Sequence, residues 1–307
     1  MAEYYNVEAD FMPLLEGMAQ LPPFRERPLE QLRYGTDYSL FGDPEPVREV
    51  REVRIPVDGT DIAALLYLPE GEPTALMIFY HGGGWVMGNL ESHDRGVRTM
   101  VNQTGIAALS IDYRMAPEHP FPVPFEDCRA ALLWARDHCA ELVGADLPLL
   151  VGGDSAGGNL AAAMALVARE EGIPLAGQLL IYPALDAHCT GESYTTRAEA
   201  PVLNTPDMYW YWDTYRAGQD RKGDWRFAPA RAESLSALAP AIVVVAGIDP
   251  LRDDGLNYAG ALARADVPVA LLHFPRQPHG FFNFMPLVPS AARAFEDVAA
   301  QIVQLLR

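Results

Sequence analysis

The stretch from Leu149 to Asn159, LLVGGDSAGGN, places a single serine between glycines at the point where a strongly apolar run ends. Residues 153–157 match the pattern G-x-S-x-G, and the runs on either side predict a strand, a sharp turn and a helix. The glycines permit that reversal, which holds the Ser155 hydroxyl clear of the backbone beside a helix N-terminus. The stretch indicates a candidate nucleophile, although the same pentapeptide also occurs by chance as an ordinary tight turn.

The remainder of the chain repeats this alternation of strands and helices. From Val47 onward, short β-rich runs bounded by Gly, Pro or Asp predict eight strands, with helical patterns between the later ones. Strands that are apolar throughout and alternate with helices are typical of parallel strands covered on both faces. The sequence therefore predicts an α/β fold with an eight-stranded, mostly parallel sheet that begins with a hairpin around Asp58-Gly59-Thr60. The predicted strands are 47–57, 61–68, 75–80, 106–111, 147–152, 177–182, 241–247 and 267–274. The predicted helices are 93–105, 124–143, 155–172, 253–265 and 289–307.

Two regions do not follow the alternation. Residues 1–46 are rich in proline and indicate short helices and turns, and residues 186–230 form an aromatic-rich insertion centred on TPDMYWYWDTY. We expect these two segments to pack together as a helical cap over a core formed by residues 47–185 and 231–307. The alternative is that the aromatic residues form only the insertion's own core.

Composition and charge limit the classes of partner. The formal net charge of −18 argues against nucleic acid or an anionic membrane surface, since both are negatively charged. The cysteines Cys128, Cys139 and Cys189 are odd in number and lack metal-ligand spacing, so neither a disulfide framework nor a metal site is indicated. The N-terminal residues do not resemble a signal peptide, and no segment approaches the roughly 18 apolar residues of a membrane span. We therefore expect a cytoplasmic protein that acts on a small molecule.

A serine nucleophile needs a base to take its proton and an acid to orient that base. In sheets of this kind the order along the chain is serine, acid and histidine, each at the C-terminal end of a strand. Asp249 comes directly after the strand AIVVVAG and is the predicted acid. Asp253 and Asp254 lie further on, where they open the next helix and are expected to serve as caps.

The predicted base is His279, which follows the last strand in the loop PRQPHGF. His273 is the competing candidate, but it lies inside that strand, whereas proline and glycine around His279 can orient its ring. A lone loop histidine often has no chemical role. The order of the three residues and their placement at strand ends favour the catalytic interpretation.

An acyl-transfer site also needs hydrogen-bond donors at the position where negative charge develops. The strand ALMIFY leads directly into His81-Gly82-Gly83-Gly84-Trp85. Consecutive glycines allow several N–H groups to converge, so the predicted donors are the N–H groups of Gly83 and Gly84, together with that of Ala156. Phosphate binding is disfavoured because the spacing of a phosphate loop is missing. We expect His81 to brace the loop.

Together, five motifs resemble those of the bacterial hormone-sensitive-lipase-like carboxylesterases, also called family IV esterases, which have the α/β-hydrolase fold. The likeness extends from about residue 47 to the C-terminus. The motifs are HGGGW (81–85), SHD (92–94), DYRMAPEHPFP (112–122), GDSAGGN (153–159) and DPLRD (249–253).

The resemblance implies a serine carboxylesterase that hydrolyses short- to medium-chain esters, has a helical cap and needs no cofactor. It implies the same Ser155, Asp249 and His279 triad and the same oxyanion donors. It also implies polar contacts for Arg114 and Glu118, and a homodimer through the edge strand VALLHF. The family commonly has glutamate where this chain has Asp254, which puts a supporting hydrogen bond in question.

Three other functions remain open from the sequence. An amidase or deacetylase would use the same triad, and a lipase would need an apolar entrance, to which Trp210, Trp212 and Tyr215 could contribute. The third alternative is a binding protein that retains the fold without catalysis. The presence of both Asp249 and His279 argues against it.

Overall fold

The computed structural model describes residues 6–307 and contains an eight-stranded sheet. Its strands are β1 (Glu49–Val57), β2 (Thr60–Leu68), β3 (Leu76–Tyr80), β4 (Ala107–Ile111), β5 (Leu149–Asp154), β6 (Leu175–Ile181), β7 (Ala241–Ile248) and β8 (Val269–Pro278). They lie in the order β1-β2-β4-β3-β5-β6-β7-β8. β2 is antiparallel to both β1 and β4, and the other neighbouring pairs are parallel. The predicted mostly parallel sheet with an antiparallel start is confirmed.

Helices cover both faces of this sheet. Side chains of the helices that follow β4, β5 and β7 form one buried cluster with one face, and those that follow β3 and β8 form a second cluster with the other. The apolar strands predicted this arrangement, because each buries side chains in both directions. The α-helices of the described residues are α1 (Met12–Met18), α2 (Leu29–Tyr34), α3 (Leu90–Thr104), α4 (Val123–Val143), α5 (Ala156–Glu170), α6 (Ser193–Thr196), α7 (Thr205–Arg216), α8 (Arg252–Arg264) and α9 (Pro289–Leu305).

Two element boundaries differ from the predicted ones by more than two residues. Helix α3 begins at Leu90 rather than residue 93 because the Asn89 side chain accepts from the Ser92 N–H, while the Ser92 hydroxyl accepts from the Asn89 N–H. Strand β8 continues to Pro278 because its pairing with β7 shifts register near Gly247. That glycine approaches Pro275 so closely that a Cβ atom would overlap it.

The N-terminal segment (residues 1–46, described from residue 6) is in direct contact with the inserted segment (residues 186–230). The Arg25 guanidinium and backbone N–H both donate to the Asp207 carboxylate in α7, and the Phe24 ring lies 6.4 Å from that of Tyr211. Residues 1–5 of the predicted N-terminal segment lie outside the described residues. The division into cap and core remains a prediction, and these contacts between the two segments are consistent with it.

Candidate active site

Ser155 lies on a strained turn between β5 and α5. Its φ angle of +56° falls in the left-handed region, where non-glycine residues are uncommon. Neither of the flanking glycines has room for a side chain. A Cβ atom on Gly157 would overlap the Tyr80 carbonyl oxygen, and a Cβ atom on Gly153 would overlap both that oxygen and the carbonyl oxygen of Gly157. The predicted strand, turn and helix are therefore present, and the strain is located at the serine itself.

The structure brings the predicted serine, histidine and aspartate together in one chain of hydrogen bonds. The Ser155 hydroxyl lies 2.9 Å from His279 Nε2, and His279 Nδ1 lies 2.7 Å from the Asp249 carboxylate. The second carboxylate oxygen accepts the Leu251 N–H at 2.8 Å. Asp249 is fully buried, whereas Ser155 and His279 are each 8 % exposed. A substrate can thus reach the serine and the histidine while the acid stays out of water.

All three residues follow the C-terminal ends of parallel strands, as their order along the chain predicted. Ser155 follows β5, Asp249 follows β7 and His279 follows β8. Parallel strands end at the same edge of a sheet, which is why residues far apart in sequence meet there. The competing His273 lies within β8 and has no hydrogen bond to this group.

The loop that follows β3, residues 81–87, is called the glycine loop here. Two of its glycines have positive φ angles, which glycine adopts readily. Gly83 and Gly84 have φ angles of +113° and +62°, and the Gly83 carbonyl accepts from the N–H groups of Val86 and Met87. Among the hydrogen bonds of residues 6–307, none uses the N–H group of Gly83, Gly84 or Ala156. These three donors, on the loop after β3 and at the first residue of α5, therefore have no hydrogen-bond partner among the described residues. Their role as oxyanion donors remains a prediction.

A buried polar network underlies the glycine loop. The Asp154 carboxylate accepts the Gly82 N–H at 2.9 Å and lies 3.1 Å from His93 Nε2. Burial alone would raise the pKa of Asp154, but attraction to His93 and the hydrogen bonds from His93 and Gly82 outweigh it and lower the pKa. The carboxylate next to Ser155 in sequence therefore ties the loop to the serine turn. Asp154 and His93 have no role predicted from the sequence, although they lie in the motifs GDSAGGN and SHD.

His81 braces the loop, as expected. Its Nδ1–H donates to the Gly82 carbonyl at 2.7 Å, and its own carbonyl accepts from the Tyr113 hydroxyl, whose ring stacks on the imidazole. Burial, followed by the nearby His93, lowers the pKa of His81 to about 3. A neutral imidazole with this environment serves the structure of the loop rather than proton transfer.

The loop that carries Asp249 is hydrogen-bonded to the start of the inserted segment. The Ser193 hydroxyl donates to the Pro250 carbonyl at 2.6 Å and accepts from the Asp253 N–H, and the Asp253 carboxylate accepts the Ser193 N–H. Asp254 accepts the N–H groups of Leu185 and Asp186 on one oxygen. The expectation that Asp253 and Asp254 cap their own helix is not met by these bonds, because each carboxylate faces the inserted segment instead.

Asp254 stands where the related family commonly has glutamate, and it makes supporting hydrogen bonds there. The carboxyl is buried, and this burial raises its pKa to about 8 despite the two backbone N–H groups that favour the charged form. The shorter side chain therefore still holds the residues at which the inserted segment begins.

The implied polar contacts of Arg114 and Glu118 are also present. Arg114 makes a two-pronged ion pair with the buried carboxylate of Asp127, and Glu118 pairs with Arg33 of the N-terminal segment. The Arg33 guanidinium also donates to the carbonyl of Val86 in the glycine loop. These bonds fix the segment from 112 to 122 against the loops around the serine.

A cavity of about 410 Å³ lies between the N-terminal and inserted segments. Its wall is largely apolar and includes Phe24 and Val202. Val202 lies against Gly280, the residue after His279, since a Cβ atom there would come within 3.6 Å of it. The volume falls within the range of roughly 300–1,000 Å³ that is typical of small-molecule sites.

In the range 6–307, no helix is long and apolar enough to cross a membrane. The same residues contain no group of three or more histidine, cysteine, aspartate or glutamate side chains that could hold a metal ion. All three cysteines are free thiols.

A strained serine turn joined to histidine and aspartate at the strand ends of this sheet defines the α/β hydrolases. A family model described as alpha/beta hydrolase fold matches residues 77–283, more than half of the chain. The chain therefore belongs to this family, within its hormone-sensitive-lipase-like group, as the sequence motifs predicted.

Named relatives and solved structures agree with this assignment. The carboxylic ester hydrolase LipN of Mycobacterium tuberculosis is 41% identical over 263 residues, which cover 83% of this chain and 70% of that protein. A hyperthermophilic esterase from the archaeon Pyrobaculum calidifontis has a TM-score of 0.90 at 34% identity, covering 97% of this chain and 98% of its own. An ester hydrolase from the Lake Arreo metagenome, solved with a bipyridine phosphonate derivative, gives 0.91 at 34% identity and the same coverage.

Proposed function

We propose that this protein is a serine carboxylesterase that hydrolyses short- to medium-chain carboxylic esters through an acyl-enzyme. The observation that carries the proposal is the unbroken hydrogen-bonded chain from Ser155 through His279 to Asp249. The names of the related proteins, carboxylic ester hydrolase and esterase, support the same substrate class. No cofactor enters the proposed reaction.

The reaction consists of two acyl transfers. His279 takes the Ser155 proton as the hydroxyl attacks the ester carbonyl, and the resulting imidazolium protonates the departing alcohol. Water then repeats the sequence on the acyl-enzyme, which releases the acid and restores the serine. Asp249 keeps Nδ1–H of the imidazole in place and stabilises its positive charge.

The oxyanion of each tetrahedral intermediate is held by the N–H groups of Gly83, Gly84 and Ala156. Their support is that no hydrogen bond within residues 6–307 uses these N–H groups, and that Ala156 opens the helix directly after the serine. Loss of one such donor costs on the order of 10²–10³ in turnover. Because these donors are backbone N–H groups, replacing Gly83 or Gly84 by a larger residue should displace the donors themselves.

The decisive experiment is replacement of the nucleophile. Ser155→Ala should abolish hydrolysis of p-nitrophenyl butyrate, since loss of a triad serine costs on the order of 10⁶-fold in turnover. A fluorophosphonate should label Ser155 in the wild type and leave the alanine variant unmodified. Retention of more than trace turnover in a folded Ser155→Ala protein would sink the assignment.

The proposal includes a cap formed by residues 1–46 and 186–230 over the core of residues 47–185 and 231–307. Its support is the Arg25 to Asp207 contact and the apolar cavity between the two segments. Val202 of the cavity wall adjoins Gly280, whereas Ser155, Asp249 and His279 do not line the cavity. A panel of p-nitrophenyl esters from acetate to palmitate, with an amide as control, tests the preferred acyl chain length. A rate that stays constant up to palmitate would favour a lipase. Faster cleavage of the amide would favour an amidase.

The proposal also includes a homodimer formed through the free edge of β8. That strand is the last in the sheet, and Leu271 on it is 47 % exposed. Pairing of two such edges would complete their unpaired backbone groups. Light scattering after size-exclusion chromatography tests this, and a monomer at micromolar concentration would refute it. Leu271→Lys should weaken a dimer that forms.

A cytoplasmic location completes the proposal. The buried free thiols of Cys128 and Cys139 suit a reducing compartment, where disulfides are rare. Fractionation of cells that express the protein, with activity measured in each fraction, tests it.

A further inference from the structure

Tyr211, on helix α7 of the inserted segment, lies directly on the glycine loop. A Cβ atom built on Gly84 would come within 2.5 Å of three atoms of the Tyr211 ring, and these are its nearest neighbours. The side chain of Tyr211 is buried, at 3 % exposure. No side chain larger than hydrogen fits between this ring and the Gly84 backbone, so the ring forms a wall against the loop.

The ring itself is held from several directions. Its hydroxyl lies 3.2 Å from the Met87 sulfur, at the end of the same glycine loop, and the Phe24 ring packs beside it. One turn earlier in α7, the Asp207 carboxylate is bound by the Arg25 guanidinium. Both the tyrosine and the helix that carries it are therefore fixed to other segments.

The glycine loop has no equivalent support at Gly84. The Gly82 N–H is bound by Asp154, and the Gly83 carbonyl is bound by two backbone N–H groups. Among the hydrogen bonds of residues 6–307, none uses the Gly84 N–H. Glycine has an unusually flexible backbone. The neighbouring Trp85 is held by its stacking on Tyr215 and by the hydrogen bond from Ala116 N–H to its carbonyl, and the Tyr211 ring is the contact made directly with Gly84.

We propose that Tyr211 is a positioning residue, whose ring holds Gly84 so that the N–H groups of Gly83 and Gly84 point to the oxyanion. The inserted segment then contributes to the stabilisation of the tetrahedral intermediate without touching the substrate's reacting atoms. This inference rests on the proposed esterase function and deepens it. Donors that are misplaced by as little as 1 Å lose much of their effect, since preorganisation is what makes them effective.

The first test separates an effect on the oxyanion from one on substrate binding. Tyr211→Ala should lower kcat for p-nitrophenyl acetate about 10-fold or more, with KM changed less than about twofold. The Ki of a trifluoromethyl ketone, which forms an oxyanion on the serine, should rise by the same factor. Tyr211→Phe keeps the ring but loses its contact with the Met87 sulfur, so it should lose much less kcat than Tyr211→Ala. Tyr209→Ala, on the exposed side of the same helix, should match the wild type.

The second test uses the contact itself. Gly84→Ala alone should lower kcat by about 100-fold, because the new methyl group collides with the ring and because alanine is strained at the φ of +62°. Only the collision is relieved when the ring is removed. The double variant Gly84→Ala/Tyr211→Ala should be more active than Gly84→Ala, since the methyl group then occupies the space that the ring has left. If the two losses multiply instead, the ring does not act through Gly84 and the proposal is overturned.

Other outcomes are equally decisive. A rise in KM with unchanged kcat and ketone Ki would make Tyr211 part of the substrate pocket and overturn the positioning role. If Tyr211→Ala does not fold, Tyr211→Met fills most of the volume with a flexible side chain that holds Gly84 less firmly, and it is expected to lower kcat by a smaller factor. Fluorophosphonate labelling of wild-type Ser155 is measured in parallel, so that failure of the esterase assignment is recognised separately.

Discussion

The Ser193 hydroxyl donates a 2.6 Å hydrogen bond to the backbone carbonyl of Pro250, the residue that follows Asp249. Ser193 is fully buried and belongs to the inserted segment, so this bond joins that segment to the loop that carries the proposed catalytic acid. The same hydroxyl accepts the Asp253 N–H. One side chain thus satisfies two backbone groups on either side of a turn.

Ser193→Ala should therefore weaken both the fold and the activity. Loss of a hydroxyl that satisfies two buried groups costs about 1–3 kcal/mol in the free energy of unfolding. We expect kcat/KM for p-nitrophenyl butyrate to fall several-fold as the Asp249 loop loosens. Thr196→Ala is the control, because that exposed hydroxyl donates to the Glu192 carbonyl of its own helical turn and does not reach the Asp249 loop. Lower stability with unchanged kcat/KM would show that the bond supports the fold alone.

Asp254 should make the stability of the protein depend on pH in an unusual direction. Burial raises the pKa of its carboxyl to about 8, against a value of 3.8 in an unfolded chain, so the folded state binds the proton more tightly. The stabilisation from this proton is complete below about pH 4, declines as the pH rises, and is lost above about pH 8.

The measurement is urea unfolding of wild type and Asp254→Asn between pH 5 and pH 8. Asparagine keeps an oxygen for the Leu185 and Asp186 N–H groups but cannot ionise, so its stability relative to wild type should rise by up to about 1.4 kcal/mol per pH unit. Asp253→Asn should show no such rise. Burial raises the pKa of Asp253, but hydrogen bonds from Arg252 and Ser193 outweigh it and lower the pKa. Parallel pH profiles for Asp254→Asn and wild type would contradict the expectation.

Asp154 should support the glycine loop through its bond to the Gly82 N–H. Asp154→Ala leaves the buried Gly82 N–H with only its longer, 3.3 Å contact to His93 Nε2 and removes the carboxylate from His93. This loss costs about 1–3 kcal/mol and should reduce kcat about 10-fold or more as the loop shifts. Asp154→Asn retains an oxygen acceptor and should lose less on both measures. Thermal unfolding and p-nitrophenyl butyrate kinetics check this, and equal losses in the two variants would count against a role for the Gly82 bond.

The architecture could be predicted from the sequence because its signals are local. Apolar runs such as LLVG end in glycine or aspartate, and helices between them leave only parallel pairing. The order of Ser155, Asp249 and His279 at strand ends then follows from the topology of the sheet. The predicted end of β8 lies four residues before the observed one, because a proline such as Pro275 usually ends a strand. In the structure, the close approach of Gly247 to Pro275 accompanies a register shift, and the strand continues.

What could not be predicted depends on contacts between distant segments. Ser193 and Tyr211 lie in the insertion, where the aromatic pattern indicated burial but not the partner. Tyr211 meets Gly84 across more than a hundred residues, and no periodicity encodes that contact. His93 and Asp154 stood in recognisable motifs, yet their pairing requires the folded sheet.

The contact between Arg25 and Asp207 should determine how firmly the N-terminal segment holds helix α7. The Asp207 side chain is only 2 % exposed and that of Arg25 is 33 % exposed, so solvent weakens the pair in part. Arg25→Ala should cost about 1 kcal/mol locally, which corresponds to roughly a fivefold increase in the open population of the segment. Chymotrypsin cleavage after the aromatic residues of α7 should accelerate by a similar factor.

The matched control for this variant is Arg216→Ala, which removes a surface ion pair with Asp213 on the same helix and should leave the cleavage rate unchanged. If α7 carries Tyr211 onto the glycine loop, Arg25→Ala should also lower kcat modestly, because a more mobile helix holds Gly84 less firmly. Faster cleavage without any loss of kcat would separate the mobility of the helix from the function of the loop. An unchanged cleavage rate would show that the N-terminal segment is held by its apolar contacts and not by this ion pair.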